Sequence, residues 1–161
     1  MKRLGLIVYK LDVSFHVMAG VMLAFMLVLT ICDVIMRAFD RPIVGSIELI
    51  TFSGAIVACF AIPYSSWMKS HVYVDLLTQK LSGKSLKILM VMTRSIGILL
   101  FLLISYNFIL YGLTLMKAGE VSAGFRIPYY PLTFILAGGC FLESLTLFID
   151  LLKIIRGRRN E

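Results

Sequence analysis

Four long apolar runs, roughly residues 13–36, 47–68, 89–111 and 132–155, decide what this chain can fold into. An α-helix needs about 20 apolar residues to cross a hydrocarbon core of roughly 30 Å, and each run reaches that length. Inside such a core every backbone polar group must be bonded within the protein, which leaves helices or closed barrels. Barrel strands alternate apolar and polar positions over segments of about ten residues, and runs such as "VMLAFMLVLTI" and "IGILLFLLISYNFIL" do not alternate. A mean hydropathy of +0.93 with only 16% charged residues also excludes an ordinary soluble domain. The sequence predicts an all-α integral membrane protein with four transmembrane helices.

No repeat, low-complexity tract or shift in composition divides residues 1–161, so one four-helix membrane domain is expected. The longest segment outside the spans, about twenty residues, is too short to bury a core of its own. Lys2, Arg3 and Lys10 precede the first run as they would in a secretory signal. That run is too long for a signal core, lacks a small-residue cleavage pattern and ends in "DVIMRAFDR", so it reads as a retained helix. Cys32, Cys59 and Cys140 fall inside spans without metal or redox spacing and read as small apolar residues at helix interfaces.

The sixteen Lys and Arg residues are unevenly placed. Twelve lie on one side: Lys2, Arg3 and Lys10, then Lys69, Lys80, Lys84, Lys87 and Arg94, then Lys153, Arg156, Arg158 and Arg159. Arg37, Arg41, Lys117 and Arg126 lie on the other. The positive-inside rule then predicts cytoplasmic termini and a cytoplasmic central loop. The net charge of +7 is accounted for by span ends, and the basic tail "KIIRGRRNE" suits anionic lipid better than nucleic acid.

The central loop contains "MKSHVYVDLLTQKLSGKSLK". From His71 to Ser82, Val74, Leu77 and Leu81 share one helical face, and His71, Asp75, Thr78, Gln79 and Ser82 share the opposite one. This predicts a short amphipathic helix over residues 71–82, lying in the membrane interface between helices 2 and 3. His71 and Asp75 are neighbours on its polar face. Ser65, Ser66 and Ser70 are nearby, but no arrangement activates any of them as a nucleophile, so the pair reads as structural.

Ionisable residues within spans are costly and need partners. Asp33, Arg37 and Glu48 meet near the outer surface. Arg37 can pair with Glu48 or Asp33 and brace the first hairpin, or Arg37 or Glu48 can contact another protein. Arg94 and Asp150 lie at matching depth near the inner ends of their spans and can pair. Glu143 lies about eleven residues into the last span, roughly 17 Å at 1.5 Å per residue. It reads either as a proton-coupling site or as a buried group satisfied by a serine, an asparagine or a partner helix, with Ser144, Thr146 and Asn107 as neighbours in sequence or span. Pro63 and the Gly138–Gly139 pair interrupt spans, but the two halves do not match as those of a secondary transporter usually do. No substrate pathway is visible in these four helices.

In "GEVSAGFRIPYYPLTFI", Pro128 and Pro131 shape the approach to the last span, and Tyr129 and Tyr130 sit where an aromatic belt belongs. With no nucleophile or ligand cluster, this loop reads as a contact surface. Together with "DVIMRAFDRPIVGSIELI" and "KSHVYVDLLTQKL", it resembles the small, DctQ-like membrane subunit of tripartite ATP-independent periplasmic (TRAP) transporters over nearly the whole chain. Arg37, Glu48, Leu49, His71, Val74, Asp75, Ser122, Ile127 and Pro128 fall on positions similar to that family's pattern. Where the family often has Trp after "IP", this chain has Tyr129.

The resemblance implies a non-catalytic scaffold in the bacterial inner membrane, without cofactor or metal. Its partners would be a large multi-span subunit that carries organic anion and sodium, and a periplasmic solute-binding protein that it helps dock. The residues leave other readings open. One is a self-sufficient proton-coupled exporter using Glu143; another is a glutathione-dependent membrane enzyme drawing on Arg94, Tyr106 and Asn107. A third is the small subunit of a related tricarboxylate carrier.

Overall fold

The computed structural model describes residues 2–68 and 84–155, with side chains from 6–68 and 88–155. Four helices follow one another: α1 (Lys2–Ala38), α2 (Ser46–Trp67), α3 (Lys84–Ala118) and α4 (Tyr130–Ile155). All four are long and apolar enough to cross a membrane. Among the described residues the only β feature is an isolated bridge between Val121 and Pro128. The proposed interfacial helix, with His71, Val74 and Asp75, lies outside the described residues.

α1 and α3 are longer than their apolar runs, at 37 and 35 residues, or about 55 and 52 Å at 1.5 Å per residue. Neither "KRLGLIVYKLD" nor "KSLKILM" contains a proline or a turn signal, so the helix continues past the apolar stretch. α2 starts sharply because Gly45, at φ 76°, turns the chain in the left-handed region where a side chain would be strained. It continues through the buried Pro63, which cannot donate to the residue 59 carbonyl.

α4 touches all three other helices, whereas α1 packs mainly on α2 and α3 mainly on α4. Burial follows this order, with half of the α4 span covered against 11% for α1 and α3. In a membrane protein the exposed apolar faces of α1 and α3 suit lipid or a partner subunit. Small residues bring α3 and α4 together. A Cβ on Gly97 would stand 3.1 Å from Leu147, and one on Gly112 would stand 2.6 Å from the Thr133 hydroxyl. Between them Ser105 donates to the Ala137 carbonyl at 2.9 Å.

α2 and α4 run parallel in constant register. Cys59 donates to the Leu136 carbonyl at 3.4 Å and Ser66 to Glu143 at 2.6 Å, both across 77 residues. The start of α4 is therefore level with Ser53, and the first seven residues of α2 stand clear of it by about 10 Å. The core lies below this ledge, where Ala19, Cys59, Phe60 and Cys140 pack together and Phe15 stacks on Phe60 at 4.5 Å.

Candidate functional site

The ledge above α4 is filled by the 119–129 connection, which is fastened to Glu48 in the first turn of α2. One Glu48 oxygen accepts the Gly124 N–H at 2.7 Å, and the other accepts the Ser122 hydroxyl and the Phe125 N–H at 3.2 Å. A carboxylate here is also favoured by the dipole of α2. The connection closes on itself: Ser122 N–H donates to the Ile127 carbonyl at 2.9 Å and Arg126 N–H to the Ser122 carbonyl at 3.1 Å. The Val121–Pro128 bridge closes the base of this small loop, and Arg126 turns it at φ 53°. Beneath it, Phe52 meets the Tyr129 ring edge-on at 5.5 Å.

Two glycines permit this approach. A Cβ on Gly124 would lie 2.9 Å from the Gly45 backbone and 3.1 Å from a Glu48 oxygen, while the Phe125 ring covers Gly45 itself. Ser122 is almost fully enclosed. Leu49, Ile127 and Pro128 are half-buried around it.

Arg37 and Asp33 form a separate clasp at the same end. Arg37 Nε donates to one Asp33 oxygen at 2.8 Å, and Ile43 N–H donates to the other at 3.1 Å. Asp33 thus ties the α1–α2 connection to α1. Of the two partners open to Arg37 in the sequence, the structure selects Asp33, because Glu48 is occupied by the 122–125 backbone and Ser122. Exposed apolar side chains surround both clasps, including Phe39, Val44, Ile47, Val121 and Phe125.

At the opposite end of the bundle, where α1 begins and α4 ends, polar side chains form a seam through the helices. Asp12 of α1 accepts the Trp67 indole N–H from α2 and the Thr146 hydroxyl from α4, the latter at 3.0 Å. The Trp67 ring is packed by Tyr9 edge-on at 5.9 Å and by Lys153, whose Nζ stands 3.8 Å from the ring centroid. Ser66 bonds Glu143, and Arg94 Nε pairs with Asp150 at 3.0 Å. α1, α2 and α4 meet through the first of these sets and α3 joins through the last.

Glu143 is half-way along α4 but level with the last turn of α2, a relation that counting along its own span does not show. Its partner is Ser66 rather than the nearer candidates. Ser144 donates to the Phe141 carbonyl, Thr146 to Asp12, and Asn107 to the Leu103 carbonyl of its own helix. Arg94, Tyr106 and Asn107 do not form a common site, since Arg94 is paired with Asp150 and the other two are exposed on α3. Sequence reasoning missed Asp12 because it stands one residue before the apolar run and reads as a flank. Trp67, the one tryptophan, at the end of the second run, was the available signal. Among the described residues no three His, Cys, Asp or Glu side chains are grouped to hold a metal ion.

The model for the family described as "Tripartite ATP-independent periplasmic transporters, DctQ component" matches residues 26–157. Comparisons with curated proteins and with solved structures return no match. The match covers both clasps, α2 to α4 and all of the seam except Asp12 and Tyr9. The four apolar helices and this match together place the chain in the DctQ family, as the small, non-catalytic multi-pass membrane subunit of a tripartite transporter.

Proposed function

We propose that this subunit is the fixed scaffold of a sodium-coupled transporter of organic anions, carboxylates or sialic acid among them. It braces the large transport subunit in the inner membrane and helps dock the periplasmic binding protein. The observation that supports scaffolding is how the acids at span depth are used. Asp12, Glu143 and Asp150 each bond a side chain of another helix, while Glu48 and Asp33 hold connections. Such groups stiffen a frame, because each is tied to a fixed partner.

In this reading both termini are cytoplasmic, and the Glu48 and Asp33 clasps face the periplasm. Glu48, Ser122, Ile127 and Pro128 shape a stiff loop, and Arg37 and Leu49 border it. The exposed apolar groups beside that loop form the contact surface. His71 and Asp75 would set the depth of the interfacial helix.

Purification of the tagged protein from its native membrane in mild detergent, with mass spectrometry of what accompanies it, tests the proposal. A stoichiometric large multi-span protein is expected. A clean homo-oligomer under conditions that preserve other membrane complexes would overturn it and return attention to a self-sufficient exporter.

A further inference from the structure

The scaffold function accounts for one oxygen of each of two seam carboxylates, Asp12 and Glu143, and leaves the other oxygen of each unexplained. Ser66 and Trp67 are consecutive on α2; the first donates to Glu143 and the second to Asp12. Thr146, one turn beyond Glu143 on α4, also donates to Asp12. Both carboxyl groups are therefore tied into one cluster, by donors that are neighbours on α2 and by Thr146, one turn from Glu143 on α4. Asp12 is 0% exposed and Glu143 2%. Each spends one oxygen on these donors, and the other, Oδ1 of Asp12 and Oε2 of Glu143, is buried without a hydrogen-bond partner.

Two ionised carboxylates in one buried site repel each other, and each buried bare oxygen loses its hydration with nothing in return. A proton on either group removes one of the two charges and leaves the other carboxylate with its own donors. We propose that Asp12 and Glu143 share one proton, so that the seam between α1, α2 and α4 is a single-proton binding site.

The surrounding charges fit this stoichiometry. α1 contributes Asp12, with Tyr9 and with His16, whose ring stacks on Tyr64 of α2. α2 otherwise offers Ser66 and Trp67, which carry no charge. α4 contributes Glu143, Asp150, the thiol of Cys140, and Lys153 over the Trp67 ring. α3 contributes Arg94, bonded to Asp150. Three acids face two permanent cations, and one proton brings the set to neutrality. It comes from water and resides on one or the other carboxyl, with no other bond made or broken.

Infrared spectroscopy of the full-length protein in lipid nanodiscs tests this by the C=O stretch of a protonated carboxyl, identified by its shift in D2O. At neutral pH in sodium buffer the wild type should show one such carboxyl, unchanged when choline replaces sodium. Glu143→Gln and Asp12→Asn should each abolish it, because removing either acid balances the charge and leaves the remaining one ionised. A band that survives in either variant would mean a single acid neutralised by its own burial, and would overturn the proposal. So would a wild type with no band, or one whose band appears only when sodium is withdrawn, which would make the site a cation site. If a variant does not fold, Asp12→Glu and Glu143→Asp, which keep both acids, should each shift the band, and a band left unshifted by either would overturn the proposal.

Discussion

The Glu48 carboxylate accepts the backbone N–H of Gly124 at 2.7 Å, joining the first turn of α2 to the connection that enters α4. The same carboxylate holds Ser122 and Phe125, so one side chain orders a loop that has few other ties to the bundle. Glu48→Ala should release that loop. Trypsin cleavage after Arg126 in the folded protein should become several-fold faster, with Glu48→Gln intermediate because it keeps one acceptor oxygen. Cleavage at the wild-type rate in Glu48→Ala would show that the loop is ordered by other contacts.

Gly124→Ala should destabilise the subunit by about 1–3 kcal/mol, the usual cost of overpacking, because the new methyl meets the Gly45 backbone, which cannot rotate away. Gly138→Ala is the control. Its Cβ meets nothing within 4 Å, and helix propensity favours alanine over glycine. Thermal unfolding in detergent should separate the two variants, with Gly124→Ala lower and Gly138→Ala at or above the wild type.

A methyl on Gly139 would run into the Cys59 sulfur where α4 packs on α2. Gly139→Ala should therefore cost about 1–3 kcal/mol. Cys59→Ala removes the obstructing atom, so the double variant should recover much of the loss. The double-mutant cycle measures this coupling, and additive costs would show that the helices relax apart instead.

Arg94 and Asp150 should behave as a partly buried ion pair, with side chains 11% and 25% exposed. Removing one partner leaves a charge at span depth. Arg94→Leu or Asp150→Leu should cost about 3 kcal/mol, toward the lower end for buried pairs because Asp150 keeps some solvent access. Replacing both with leucine should cost much less than either alone. Chemical unfolding of the four proteins in one detergent gives the comparison.

Periodicity was not needed to find the four spans, because length and hydropathy suffice where lipid is the solvent. The ends of α1 and α3 were less legible. Apolar content reports where the membrane is, whereas a helix stops only where a breaker or a cap stops it, and neither extension contains one. The Arg94–Asp150 pair could be foreseen by counting from the adjacent ends of two antiparallel spans. Glu143 could not be treated in that way, since its partner depends on how far α4 is shifted along α2.

By itself the sequence determined the helical class, the number of spans and the resemblance to the DctQ family, because these depend on composition, length and the order of short motifs. The tertiary structure decided the pairing of polar groups. Ser66 meets Glu143, Glu48 meets the 122–125 backbone, and Asp12 enters the seam only because α2 and α4 lie parallel with a 77-residue offset and α1 packs across them. That offset is set by where glycines and small side chains let helices close, as at Gly139 against Cys59. Such a sum of contacts between distant segments is carried by no local pattern in the chain.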